Sequence, residues 1–426
     1  MSALPDLPSW TSTPDDPAAA IVEIKTALRE RLVAAGRSVD EVFAVVAERV
    51  GAQVREIAAE LEQSRNVWPV VDYADIEAGT VPAEVVSLLR RRGCLIVRGH
   101  FERQQALDWD QSIEDYVGRN RFFENYRGAG DDFFASVDSK PEIYPIYWSS
   151  AQMEARQSDR MARVQRFLNG LWTSTADGVQ WFDPERDSMY PDRIRRRPPG
   201  TTSSGLRPHM DAGTLDLWMT RESQQAFRHL FDGRVEEFDP WSAEFRTAGP
   251  LFVGTTKTSA FRTFQGWTAL SDMDHDQGVL QSIPIVDVMA YLLLRPLLDD
   301  VPDDDMCGVA VGRAFPANER WHGPLLPALA GIPDVRAGDS AWWHCDMLHA
   351  VAPVEDQKGW GNVMYIPAAP WCDRNERYAE FVRAAFLDGS SPDDFPDEHY
   401  ERSWPDRPTI DALNDNGRRG LGLNVS

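Results

Sequence analysis

Two His-x-Asp triplets are the residues of this chain whose types and spacing are best suited to metal chemistry. They are His209-Met210-Asp211 and His344-Cys345-Asp346. In an extended segment, positions i and i+2 point to the same side, so each triplet can present an imidazole and a carboxylate to one ion. In a chain this rich in Asp, chance alone gives about one such triplet, so the surroundings must separate the two.

A third ligand must come from elsewhere in the chain, and the segment Gly338–His349 holds two further candidates, His344 and His349. Two His and one carboxylate with the remaining positions open is the arrangement of non-haem Fe(II) oxygenases. The open positions accept a bidentate cosubstrate and then O2, while the protein fixes orientation and excludes water. Spacing alone leaves the choice between His344 and His349 open.

Five blocks of the sequence resemble the YbiU-like family, which is placed in the Fe(II)/2-oxoglutarate oxygenase superfamily near its phytanoyl-CoA hydroxylase branch. The blocks are 194–200, 207–213, 264–270, 338–353 and 365–371. The resemblance implies a double-stranded β-helix, which is a form of jelly roll. It also implies that Fe(II) is bound by His209, Asp211 and His349, because the second of two His five residues apart is the ligand in that branch. His344 would then be a packing or supporting residue.

One departure from the superfamily concerns the anchor for the far carboxylate of 2-oxoglutarate. That anchor is often an Arg ten to fourteen residues after the distal His, and residues 355–363 contain none. An Arg binds a carboxylate through a bidentate fork. Three substitutes are predicted here as cofactor-binding residues: Arg262, which we favour, Lys358 and Asn362.

Several other residues are candidates for substrate contact. Arg207 lies two positions before His209 and would point to the same side of a regular strand. Tyr147 and Trp267 are predicted to line a substrate pocket, although core packing is the more frequent role of such aromatics. Strand alternation places Arg193, Arg195 and Arg197 on one face, which we interpret as a solvated face countering the acidic surface rather than a phosphate site.

The elements that position these residues follow from periodicity. Amphipathic spacing predicts helices over 18–35, from Ser38-Val39-Asp40-Glu41 to Leu61, from Pro82 to Arg92, over 102–118 and over 377–387. Short apolar runs between Gly and Pro predict strands, and many short strands without alternating helices indicate an antiparallel sandwich or barrel. The predicted strands are Cys94–Val97, Asp192–Arg197, Thr214–Met219, Ala260–Leu270, Gly278–Ile285, Met306–Val311, Ser340–His344 and Val363–Pro367.

The predicted fold is therefore α+β with a mainly β core, a jelly roll with helices at both ends. Residues 1–69 form an N-terminal helical arm, which either packs on the core or serves in dimerisation. Residues 70–375 form the oxygenase domain with helical support, and residues 376–426 a C-terminal helix with a polar tail.

Composition limits the class of partner. Lys and Arg number 44 against 67 Asp and Glu, which gives a formal net charge of −23. Such a field repels phosphate backbones, so nucleic-acid binding is not expected. No signal peptide and no apolar stretch of membrane-spanning length are found, so we expect a cytoplasmic protein without membrane contact. Oligomeric state is left open.

The expected function is oxidation, by hydroxylation in the first place, of a small organic molecule with Fe(II), 2-oxoglutarate and O2, releasing succinate and CO2. The alternatives are a catalytically silent metal-binding jelly roll and a cupin-like hydrolase or isomerase that uses Zn2+ or Mn2+ in the same site.

Overall fold

Helices surround the sheets on several sides. The computed structural model describes residues 4–128, 142–211, 215–249, 251 and 259–423. In chain order the α-helices of these residues are α1 Pro17–Ala34, α2 Val39–Glu62, α3 Tyr73–Ala78, α4 Ala83–Arg92, α5 Arg103–Arg119, α6 Phe122–Asn125, α7 Ser150–Arg156, α8 Asp159–Asn169, α9 Leu215–Trp218, α10 Arg221–Ala226, α11 Arg228–Phe231, α12 Val288–Leu294, α13 Glu319–His322, α14 Asp373–Asp388 and α15 Asp415–Gly420.

The strands are short and gather mostly in the second half of the chain. They are β1 Val70–Asp72, β2 Cys94–Arg98, β3 Ile143–Tyr144, β4 Thr175–Ala176, β5 Val179–Gln180, β6 Asp183–Asp187, β7 Ile194–Arg195, β8 Leu206–Met210, β9 Phe264–Ala269, β10 Leu280–Ser282, β11 Phe315–Pro316, β12 Ala330–Gly331, β13 Ser340–His344, β14 His349–Val351, β15 Val363–Tyr365 and β16 Pro370–Trp371.

Two sheets dominate the architecture. One has seven strands in the order β1-β2-β13-β9-β15-β7-β3, and the other has five in the order β11-β8-β14-β10-β12. The pair β1–β2 is parallel, and the other pairings within these two sheets are antiparallel. The chain thus has the predicted mixed α+β fold with antiparallel sheets.

The seven-stranded sheet separates two hydrophobic cores. Trp267, Val363 and Trp343 belong to the core that also contains Met210 and Leu280 from the five-stranded sheet. Because side chains alternate along a strand, their sequence neighbours face the other way. The neighbours Met364 and Trp342, with Ile194, join a second core that includes Trp109 and Ile113 of α5. We call these the inner face and the helix face of the sheet.

The N-terminal helices pack on the rest of the molecule. Ser38 begins α2 with a capping box: its side chain accepts a hydrogen bond from the Glu41 N–H, and the Glu41 side chain accepts one from the Ser38 N–H. Apolar residues of α1 and α2, such as Leu28 and Val46, share the inner-face core with Leu293 of α12. The ammonium group of Lys25 donates to the carbonyl oxygens of Pro302 and Asp305.

The residues after α14 also pack against the body. The buried carboxylate of Glu401 accepts hydrogen bonds from the backbone N–H groups of Tyr147 and Trp148 and from the Tyr116 hydroxyl. Trp404 stacks edge-on against Tyr116, with ring centroids 4.7 Å apart. A segment that is polar in composition is therefore anchored by a few buried groups.

Two predicted strands are wrong. In the predicted strand 214–219, Thr214 lies outside the described residues, and Leu215–Trp218 form a helix. The buried Leu215, Trp218 and Met219 are spaced by three and four residues, which is the helical rather than the strand period.

The second error is Met306–Val311, which forms turns. The backbone is left-handed at Cys307 and Gly308, with φ of 60° and 83°, and such values interrupt an extended strand. Among the described residues, no helix combines the length and the hydrophobicity needed to cross a membrane.

Candidate metal centre

Two imidazoles meet in the five-stranded sheet. Strands β8 and β14 are antiparallel neighbours, and His209 lies directly opposite His349 in their register. The centroids of the two rings are 4.3 Å apart, and each residue is 6% exposed. The register of one strand pair therefore brings together two residues that are far apart in the sequence.

A carboxylate completes the cluster. Asp211 follows the last residue of β8, and its Oδ1 lies 3.3 Å from Nε2 of His209. Its Oδ2 lies 3.6 Å from Nε2 of His349. Potential ligand atoms of all three residues lie within 4.8 Å of one another, so a single ion can reach them together.

Each imidazole is oriented by a backbone carbonyl. Nδ1 of His209 lies 2.8 Å from the carbonyl oxygen of Arg207, and Nδ1 of His349 lies 3.4 Å from that of Met347. A carbonyl only accepts, so each Nδ1 donates to its carbonyl, and the Nε2 atom of each ring faces Asp211. Metal-bound His residues commonly have this arrangement, because a hydrogen bond at one nitrogen leaves the other free to coordinate.

Burial and the mutual charges of the cluster shift the pKa of each of its three members. Burial, reinforced by the nearby charge of His209, lowers the pKa of His349 to about 4, so this ring is neutral near pH 7. Burial works to raise the pKa of Asp211, but His349, His209 and Arg262 together outweigh it and hold that pKa below its usual range. Burial likewise works to lower the pKa of His209, and the hydrogen bond to Asp211 overcomes it and raises the pKa.

His344 lies away from this cluster. It ends β13 on the helix face of the seven-stranded sheet, where its ring stacks on Trp172 with centroids 4.5 Å apart and planes inclined by 4°. The Trp241 ring meets it edge-on at 4.8 Å. Its neighbour Trp343 points the other way, and that ring lies 5.2 Å from the ring of His349. The pairing of β14 with β8 thus puts His349 beside His209, while His344 faces the helices from the other sheet.

A second group of possible ligands, His344, Cys345 and Asp346, is poorly suited to a metal. Asp346 pairs with Arg246, with 2.7 Å between Oδ2 and the guanidinium. Burial raises the pKa of the Cys345 thiol well above its ordinary value, so the thiol is protonated. Nδ1 of His344 accepts a hydrogen bond from the Asp346 N–H.

Of the three predicted carboxylate anchors, Arg262 is the one whose charge acts on the cluster. It is buried, its guanidinium lies 5.3 Å from the centroid of the Tyr190 ring, and its charge contributes to the low pKa of Asp211. Asp192 and Asp394 also interact with this charge.

The other two predicted anchors are not brought to the cluster. Lys358 is exposed on a loop, and its backbone N–H donates to Oε1 of Gln277. Asn362 is buried, and its amide donates to both carboxylate oxygens of Asp110 at 3.0 Å, while its Oδ1 accepts from the Arg197 N–H. Because Asp110 belongs to α5, the Asn362 side chain faces the helices.

The three predicted substrate contacts are placed differently from one another. Arg207 is exposed, and its carbonyl orients His209. Tyr147 is buried against Phe395, with ring centroids 5.2 Å apart, in the core near the C-terminal segment. Trp267 lies on the inner face, in the same core as Trp343.

Sequence reasoning missed the burial of the arginines in and around β7. On the predicted solvated face, Arg193 is half-buried and Arg195 and Arg197 are 6% and 0% exposed, so that prediction is wrong. Arg196, on the other side, is 5% exposed. Strand alternation correctly separates Arg195 from Arg196, but the strand is covered on both sides. The sequence feature that comes nearest to indicating this burial is the apolar residue Ile194 among the arginines.

These features define an α+β protein with a candidate three-residue metal centre. The chain belongs to the Gig2-like family, whose model matches residues 19–423. Protein YbiU of Escherichia coli (strain K12) is 54% identical to it over 415 residues, which cover 97% of this chain and 98% of that protein. The predicted resemblance to the YbiU-like family is confirmed, and the oxygenase superfamily stays a prediction.

Solved structures show the same fold. A Salmonella typhimurium LT2 protein, described as a putative oxidoreductase, matches with a TM-score of 0.92 and 50% identity, covering 98% of this chain and 100% of that chain. GIG2 (DUF1479) of Candida albicans matches with a TM-score of 0.78 and 24% identity, covering 99% of this chain and 91% of that one.

Proposed function

We propose that this protein is an Fe(II)- and 2-oxoglutarate-dependent oxygenase that acts on a small organic molecule. In the proposed reaction, 2-oxoglutarate, O2 and a substrate C–H bond give succinate, CO2 and the hydroxylated product. The observation that carries the proposal is the convergence of His209, Asp211 and His349, with both Nε2 atoms directed at one carboxylate.

The donor set fits ferrous iron. Two imidazoles and one carboxylate leave further coordination positions open, which is the pattern of this class of iron site. In the proposal His209, Asp211 and His349 hold the metal, and the carbonyls of Arg207 and Met347 fix the two rings. Bound iron would supply the activation of O2 coupled to oxidation of the cosubstrate. The Trp343 ring, packed against His349, excludes water from one side of the site.

The arrangement of strands supports the same proposal. From β7 to β10, and again from β12 to β15, successive strands alternate between the seven-stranded and the five-stranded sheet. This alternation is typical of a double-stranded β-helix. We propose that the eight strands form such a jelly roll, with the metal cluster on its β8–β14 strand pair.

The proposal extends to the partners of the protein. The substrate class is a small molecule, because the net charge of −23 disfavours polyanions such as nucleic acids. Cytoplasmic location and the absence of membrane contact belong to the proposal as well.

An anaerobic titration tests the function directly. Fe(II) and then 2-oxoglutarate are added to the protein, and we expect the weak visible charge-transfer band of the ternary complex, absent in His209→Ala. Iron binding without this band would favour a silent metal-binding protein. Hydrolysis or isomerisation supported by Zn2+ or Mn2+, without consumption of O2, would favour the third candidate function.

A further inference from the structure

Arg195 is a buried cation without an acidic partner. Its Nε donates to the carbonyl oxygen of Gly361 at 3.3 Å, and one terminal nitrogen lies 3.8 Å from Sδ of Met273. Among the residues that the structure describes, no Asp or Glu forms an ion pair with it. A buried charge without a counter-charge is costly, so this guanidinium is suited to an anion that is not part of the chain.

The two following arginines differ in this respect. Arg196 is paired with Asp110 and Glu114 of α5, at 3.2 and 3.1 Å. Arg197 lies 3.9 Å from Glu142 and donates to the carbonyl oxygens of Gln277 and Gly278. Each of them thus has a carboxylate of the fold within 4 Å, which Arg195, within the described part of the chain, does not.

The side chain of Arg195 lies on the inner face of the seven-stranded sheet. Its neighbour Ile194 and the cross-strand partner Met364 belong to the helix-face core, so alternation directs Arg195 to the opposite side. The contact with Met273, a member of the inner-face core, agrees with this direction. The face therefore holds both Arg195 and Trp343, whose ring touches His349.

The register of the sheet gives the depth of Arg195 below the metal cluster. Trp343 pairs with Gln265, and Trp267, two residues further along β9, pairs with Tyr365. Arg195 pairs with Val363, two residues beyond Tyr365. At about 3.3 Å per residue, Tyr365 lies roughly 7 Å and the Arg195 backbone roughly 13 Å below Trp343. A five-carbon dicarboxylate and an arginine side chain together span such a distance.

Along the strands, Tyr365 lies between Trp343 and Arg195, and it carries a neutral hydroxyl group. It is half-buried and packs against the inner-face core. Burial raises the pKa of its hydroxyl, and Arg195 is the strongest of the neighbouring charges that oppose the rise. The phenol and the guanidinium are thus electrostatically coupled neighbours, and both can donate to one carboxylate.

We propose that Arg195, assisted by the Tyr365 hydroxyl, binds the carboxylate of 2-oxoglutarate that is remote from the metal; this inference rests on the proposed function. It assigns the missing anchor to β7, directly beside β15, where the superfamily pattern places an Arg. Arg262 is less suited, because Asp192, Asp211 and Asp394 already interact with its charge. Arg195 is accordingly a cosubstrate-binding residue that sequence spacing from His349 does not reveal.

Calorimetry with two ligands tests the assignment without turnover. Protein loaded with Mn(II) is titrated with 2-oxoglutarate and with 2-oxopentanoate, which has the same carbon chain but ends in a methyl group. Wild type should prefer 2-oxoglutarate. Arg195→Gln should bind it more weakly by a factor on the order of 100, with 2-oxopentanoate binding unchanged, since a charged hydrogen-bonded pair is lost. Tyr365→Phe should reduce the same preference less.

A second pair of variants, Arg195→Lys and Arg196→Lys, tests the assignment even if Arg195→Gln fails to fold. Lysine keeps the charge but not the bidentate fork, so Arg195→Lys should lose roughly tenfold in 2-oxoglutarate affinity while Arg196→Lys keeps the wild-type preference. A preference that survives in both Arg195 variants, or that is lost in Arg262→Gln instead, would overturn the assignment. If wild type binds metal but neither oxoacid, the proposed function itself fails.

Discussion

At the scale of single residues, the candidate metal centre depends on which way two histidines point. His209 and His349 face each other because they are opposed in one antiparallel pair, and Asp211 follows at the end of the strand. His344 belongs to the same sequence segment as His349, but its ring is held between Trp172 and Trp241. We therefore expect mutation of His349 and mutation of His344 to have different effects.

Replacement of any one of the three proposed ligands, His209, Asp211 and His349, by Ala should abolish stable iron binding while leaving the fold intact, because a two-ligand remnant binds weakly. His344→Ala should retain iron, although the loss of aromatic packing lowers the stability. Metal content after anaerobic loading and desalting measures both effects, and circular dichroism shows whether each variant is folded. Loss of iron in His344→Ala with retention in His349→Ala would refute the ligand assignment.

At the scale of elements, close packing on β9 supports the sheet that faces the cluster. A Cβ at Gly266 would overlap the Trp342 indole on the neighbouring strand β13. Trp342 is fully buried on the helix face and cannot move aside without disturbing that core. Glycine at this position is thus a packing requirement of two adjacent strands.

Gly266→Ala should lower the free energy of unfolding by roughly 1–3 kcal/mol, as overpacking does in well-packed cores. Gly118→Ala is the matched control, because Gly118 is exposed in α5 and a Cβ there meets no atom within 4 Å. That change should stabilise the protein by roughly 0.5–1 kcal/mol through helix propensity. Urea unfolding of both variants decides the point, and equal effects would contradict the packing account.

The C-terminal segment is held by Glu401, a buried acid whose titration should affect stability. Burial raises the pKa of Glu401 from 4.5 to about 7. The folded state then keeps a proton that the unfolded chain releases, so the free energy of unfolding should fall as the pH rises between these values. One such group contributes at most about 3 kcal/mol across the window.

Glu401→Gln cannot titrate and should show a shallower fall between pH 5 and pH 8 in urea unfolding. Part of the slope should remain, because burial also raises the pKa of Asp187 to about 7 and that of Asp394 to about 6. Identical slopes in wild type and variant would show that Glu401 does not titrate in this range.

Local sequence patterns predict some elements well, but they fail where contacts between distant parts of the chain determine the structure. Ser340–His344 was predicted to the residue, because a buried strand flanked by turn residues has a clear signature. The pair His209 and Asp211 followed from strand alternation, whereas the choice of His349 needed the family spacing. Arg195 was misjudged because its burial depends on pairing with β15 and β3, which lie on either side of it and which no local pattern reveals.

At the scale of the whole molecule, the excess of acidic residues bears on the proposed class of partner. Helices α1 and α2 share a hydrophobic core with both main sheets, and the five-stranded sheet carries the cluster. The net charge of −23 should keep the protein from binding duplex DNA even at low salt. Fluorescence anisotropy with labelled DNA measures this, and salt-sensitive binding would contradict the proposed class of partner.

Uncoupled turnover is the most direct test of the central claim that the three residues hold an oxygen-activating iron. Wild-type protein is incubated with Fe(II), 2-oxoglutarate and O2, and succinate is quantified against Asp211→Ala, which lacks the carboxylate ligand. The account predicts slow succinate formation that requires both iron and O2 and is abolished in the variant. Iron-loaded wild type that consumes no 2-oxoglutarate, or a variant that forms succinate at the wild-type rate, would contradict it.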